Sequence, residues 1–140
     1  MLLSLIAATV AAAAQPRVEV VLDASQEMWL PLEAGRPRFV AARLALDSWL
    51  LERTGDADLE LGLRLVGGGV PLIDHGSCDD TTLAVPPGPP DAAAWRAALD
   101  AVRPAGARPL LLAVAAAAND LGANENPRRI VLVTAGEESC

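Results

Sequence analysis

Lysine and tyrosine are absent from this 140-residue chain, phenylalanine and histidine occur once each, and cysteine occurs twice. With aromatics at 3%, the core has to be built from Leu, Val and Ala, which a 52% hydrophobic composition supplies. Such a composition excludes a disordered chain, and the length suits one domain. The eleven basic residues are all Arg, a consequence of base composition, and they face eighteen acids for a net charge of −7. Gripping a phosphate backbone needs a basic face, so nucleic acid is excluded as a partner. His75 lies three residues from Cys78, but no further Cys or His stands at ligand spacing. That excludes a Cys/His zinc centre, and no Ser-His-acid set surrounds the single imidazole. Residues 1–14, Met1 to Ala14, are apolar and free of charge, yet shorter than the roughly 20 residues a bilayer span needs. They fit the apolar core of a signal peptide cleaved near Ala12-Ala13-Ala14, although the usual basic residues ahead of such a core are missing. The mature chain is therefore expected to be exported, to the periplasm or the outside, with no membrane span. Thiols oxidise in those compartments, so Cys78 and Cys140 are expected to form a disulfide.

The chain alternates strand-like and helix-like patterns. Arg17 to Leu22 is a short apolar run suited to a buried parallel strand. A helix is predicted over Pro37 to Arg53, with Pro in its first turn and Val40, Leu44 and Leu51 on one face. Leu59, Leu61, Leu63 and Leu65 alternate with Glu60, Gly62 and Arg64, a second strand with one more polar face. Gly67-Gly68-Gly69 lacks the Lys and hydroxyl of a phosphate loop and reads as a flexible strand exit. Thr81 to Val85 is a short edge strand pairing back on the second, and Pro86 to Pro90 is a stiff connector. Asp91 caps a helix carrying Trp95, Leu99 and Val102 as its core stripe. A third helix, Pro109 to Leu121, is apolar nearly all round and so expected to be buried, with Gly122 as its stop. Ile130 to Val133 is the last strand. This order predicts an open α/β sheet, strand order 3-2-1-4, with the first helix on one face and the other two opposite.

Ligands of such sheets sit beyond the carboxyl ends of the strands. Three loops there carry Asp23-Ala24-Ser25-Gln26-Glu27, Gly106-Ala107-Arg108-Pro109 and Thr134-Ala135-Gly136-Glu137-Glu138. On residues alone, Asp23 and Ser25 suit an Asx turn closing a strand end. Their spacing also resembles the first half of the Asp-x-Ser-x-Ser metal motif (MIDAS) of von Willebrand factor A (VWA) domains. In the order of all these phrases, together with Ala41-Ala42-Arg43-Leu44-Ala45-Leu46 and Val85-Pro86-Pro87-Gly88-Pro89, residues 17–140 resemble the bacterial exported branch of that family.

The resemblance implies a Rossmann-like sheet above which hydroxyls and carboxylates hold a divalent cation, with a partner's carboxylate completing the shell. Matched position by position, the chain keeps Asp23 and Ser25, which would be the ligands of any metal. It departs at Glu27, which replaces the second Ser, at Arg108, which replaces the Thr of Gly-x-Thr-Pro, and at Ala135, which replaces the Asp of Thr/Ser-Asp-Gly. Mg²⁺ wants six hard oxygens, so a degenerate, metal-free site is expected and no cofactor. Arg108 is expected to fork onto Asp23 or Glu27 and supply the missing positive charge. Trp29, in the loop after the motif, either contacts a partner or folds back over the first helix. Relative to the family, the chain is expected to lack a C-terminal helix and the last two strands, which leaves the last strand as an open edge. The expected function is an exported, non-enzymatic protein-binding domain. The alternatives are a truncated or scaffold relic, a divalent-metal-dependent adhesion module, and a hydrolase or phosphotransferase using Asp23.

Overall fold

A computed structural model describes residues 15–32, 35–123 and 125–140; the expected signal segment, residues 1–14, lies outside the described residues. Four strands, β1 (Arg17–Asp23), β2 (Glu60–Val66), β3 (Thr81–Gly88) and β4 (Arg128–Val133), form one sheet in the order β3-β2-β1-β4. β1 runs parallel to both β2 and β4, while β3 returns antiparallel on β2. The predicted strand order is therefore the one observed. β3 extends further than expected, through Pro86 and Pro87 to Gly88, because an edge strand tolerates prolines that donate no ladder bond.

Helices α1 (Arg38–Leu51), α2 (Ala92–Ala101) and α3 (Leu110–Asp120) cover the sheet. α1 and α2 share one face. There Phe39, Leu46 and Leu50 of α1 and Trp95 and Leu99 of α2 pack on Val18, Val20, Leu22, Leu61, Leu63 and Leu65. α3 lies on the other face, with Ala113 and Ala117 against Val21 and Val66.

This corrects three expectations. α2 joins α1, and the α1–α2 seam shows why: Trp49 and Trp95 stack with ring centroids 6.4 Å apart, and Arg96–Asp47 and Arg43–Asp100 pair across it. The buried residues of α1 are Phe39, Leu46 and Leu50, whereas Leu44 and Leu51 are half exposed. A mostly apolar helix carries no moment to fix its rotation, so the neighbours decide it. For the same reason α3 buries only its Ala side and Leu110 and leaves Leu111 76% exposed. Among the described residues β4 is an edge strand, with Val131 and Leu132 both exposed.

The polar side of β2 is not a solvent face either. Arg64 is buried under α3 and donates through Nε to Glu19 and Asp120 and through Nη1 to Thr81. Glu19 is fully buried and its Oε2 has no partner as a carboxylate. Burial, a hydrogen bond shared with Asp120 and the charge of Asp120 push its carboxyl up from 4.5 to about 7, against the pull of Arg64.

Candidate site at the carboxyl ends of the strands

β1 delivers Asp23 to the rim of the sheet, fully buried. Its Oδ1 accepts the Ser25 N–H at 2.8 Å, the Asx turn that so short a polar side chain makes at a strand end. Its Oδ2 accepts the Thr134 hydroxyl at 3.0 Å and the Ala135 N–H at 3.1 Å, and Arg108 Nη1 stands 3.7 Å away. The position expected to have lost a carboxylate thus contributes a backbone donor instead.

Arg108 is brought in by a tight backbone seam. Gly106 donates its N–H to the Gly67 carbonyl at 2.7 Å and accepts that of Gln26 at 2.9 Å. A Cβ on Gly106 would stand 2.4 Å from the Val70 carbonyl oxygen, and one on Gly67 2.1 Å from that of Ala107, at a φ of +73°. The Gly67–Gly69 run is therefore a close-packed crossing, not the flexible exit expected, because only glycine permits this approach. Beyond it, the Arg108 guanidinium donates to the Glu137 carbonyl and, at 3.0 Å, to Glu27 Oε2. The Arg108 N–H donates to Ser139 Oγ at 2.8 Å. Glu138 caps α3 by accepting the Leu111 N–H, and Cys140 is bonded to Cys78, with Cα atoms 5.6 Å apart. The expected disulfide is present and pins the last loop over the site.

Asp23, Ser25, Glu27 and Arg108 are thus brought together. Trp29 is not among them: 45% exposed, it lines a separate groove with Phe39 and Val40 of α1 and Leu99 of α2. Sequence reasoning gave no role to Thr134, Ser139 or Gly106. Thr134 could have been found as a short polar residue ending a strand; Ser139 acts through a hydroxyl that accepts the distant Arg108 N–H, and Gly106 through a close backbone approach, neither of which adjacent residues announce.

These residues do not fit the divalent cation that the resemblance implies. Both oxygens of Asp23 already accept hydrogen bonds, Glu27 Oε2 is held by Arg108, and a guanidinium beside two carboxylates repels a second cation. Among the buried side-chain atoms of the site only the Ser25 hydroxyl is without a partner, against the six hard oxygens Mg²⁺ requires. Among the described residues, no three His, Cys, Asp or Glu side chains form a metal-holding group.

Comparison with solved structures identifies the fold. The VWA domain of SpRpn10 superposes with a TM-score of 0.66 at 13% identity, covering 90% of this chain and 62% of that one. An uncharacterized membrane-spanning protein from Vibrio fischeri does so with a TM-score of 0.51 at 20% identity, covering 76% of this chain and 50% of that one. The fold is that of a VWA domain. The chain spans 62% of the length of the first of these structures and 50% of the second. No protein-family model matches the sequence, and no curated protein does. Among the described residues no helix is long and apolar enough to cross a membrane.

Proposed function

We propose that the chain is an exported, non-enzymatic protein-binding module of VWA type in which Arg108 replaces the metal ion of a degenerate MIDAS. The observation that carries this is the Arg108 guanidinium, bonded to Glu27 and 3.7 Å from Asp23 on the rim where the fold family binds its cation. A permanent internal cation holds the two acids together with no dependence on metal supply. The Cys78–Cys140 bond suits an oxidising compartment. A nucleophilic role for Asp23 is disfavoured, since both its oxygens are engaged and it is sealed from solvent. Thermal unfolding in Mg²⁺ and in EDTA tests the reading: equal midpoints support it, and a midpoint raised by Mg²⁺ in a saturable way contradicts it.

A second reading is a scaffold without a ligand-binding site of its own; among the described residues β4 is an edge strand with Val131 and Leu132 exposed. It requires the chain to associate through that edge and Val131→Lys to abolish the association.

A further inference from the structure

A cavity of about 230 Å³ opens above the site, lined by Ser25, Glu27, Leu30, Leu72, Arg108 and Ser139 among others. It is smaller than the roughly 300 Å³ at which pockets for drug-sized ligands begin, and suits one inserted side chain. Ser25 lines it, 2% exposed as a residue, with its hydroxyl buried and without a hydrogen-bond partner. Native proteins seldom leave such a group unpaired.

The local charge decides what kind. Asp23, Glu27 and Arg108 sum to one net negative charge, and only Glu27 shows it to solvent: its side chain is 53% exposed, against 0% for Asp23 and 6% for Arg108. An entering carboxylate would meet Glu27 and could reach Arg108 only by displacing it. An entering monovalent cation also meets the repulsion of Arg108, but unlike a metal ion it need not reach Asp23: it pairs with the solvent side of the half-exposed Glu27 and leaves the internal pair intact. Leu30 and Leu72, 49% and 50% exposed, give the rim an apolar wall suited to the methylene stem of a long basic side chain.

We infer that this cavity receives an arginine or lysine side chain of a protein partner, with Glu27 taking the charged head and Leu30 and Leu72 flanking its methylene stem. The inference rests on the metal-free reading above. It reverses the charge of the partner group, since a site that holds a cation recruits a carboxylate and this one recruits a base. The chain's net charge of −7 favours encounter with a basic partner in the same sense.

The probe is n-butylguanidinium, with sodium butyrate as its mirror, titrated into the oxidised full chain in EDTA and followed by amide chemical shifts. The expected result is saturable, millimolar binding of butylguanidinium that moves Ser25, Glu27, Leu72 and Gly106, with butyrate leaving them in place. Glu27→Gln should weaken it about fivefold. Ser25→Ala should raise the thermal midpoint of the free protein, because it removes an unpaired buried hydroxyl. Failure of butylguanidinium to bind, shifts confined to other residues, or an unchanged affinity in Glu27→Gln overturns the inference and leaves the metal-free reading standing. Butyrate binding that appears only when Mg²⁺ replaces EDTA overturns both.

Discussion

Replacing Arg108 by Ala removes the one positive charge from the site, and its cost follows from what each partner loses. Glu27 is half exposed, so its share is screened and worth at most about 1 kcal/mol. Asp23 is fully buried, and stripping a buried charge of its counterion costs about 3–5 kcal/mol where nothing else holds it. Here the Ser25 and Ala135 N–H groups and the Thr134 hydroxyl stay on the carboxylate, and the ion pair is 3.7 Å long, so the loss falls below that range. The bond to the Glu137 carbonyl adds about 1 kcal/mol. The expected total is about 2–3 kcal/mol, within a domain's overall stability of about 5–15 kcal/mol, so the variant still folds. Urea unfolding of the oxidised protein reads this as a lowered midpoint at unchanged slope. Arg108→Lys keeps the charge but offers one nitrogen where the guanidinium serves Glu137 and Glu27 from two, and should recover less than half of the loss. A loss in Arg108→Ala below about 0.5 kcal/mol, the ordinary surface value, would refute the claim that this side chain holds the site together.

Glu19 makes stability depend on pH. Its folded carboxyl, raised from 4.5 to about 7, binds a proton that the unfolded chain has already released, so its contribution is full below about pH 4.5 and fades as pH rises through 7. Urea titrations should show that loss, at most about 3 kcal/mol, and Glu19→Gln should flatten it over the same window. Reducing Cys78–Cys140, which closes a loop of sequence separation 62, should cost about 2–4 kcal/mol in the same assay and shift the Arg108 and Ser25 amides. Gly106→Ala forces a Cβ onto the Val70 and Gly67 carbonyls at 2.4 and 2.9 Å, and should lower stability by about 2 kcal/mol or more in thermal unfolding.

What the sequence made legible was local or charge-driven. Val18 to Leu22, the alternating leucines of β2 and the hairpin back through Thr81 fix the strand order, because strand patterns are written in adjacent residues. Arg108 and Glu27 were legible as partners since one substitution removes an acid and two others add an acid and a base near the same rim. The Glu19–Arg64–Asp120 cluster was not legible: its members come from β1, β2 and the end of α3, and an acid inside an apolar strand carries no mark of its distant partners. α2 was assigned to the wrong face because Trp95, Leu99 and Val102 say that the helix has a buried side but not which face of the sheet it meets. That choice is made by Trp49 and by the Arg96–Asp47 and Arg43–Asp100 pairs. The Gly67–Gly69 run was misjudged because the same residue that frees a loop also permits two backbones to touch.

The central claim is that a guanidinium stands where the fold family places a metal ion, and isothermal titration of the metal-free, oxidised chain with Mg²⁺ and Mn²⁺ tests it most directly. The account predicts no saturable heat at submillimolar metal for the unmodified chain. It predicts none for Arg108→Thr either, since Ala135 still supplies an N–H where a carboxylate ligand would be needed. One-site binding of either ion below millimolar concentration by the unmodified chain would contradict it.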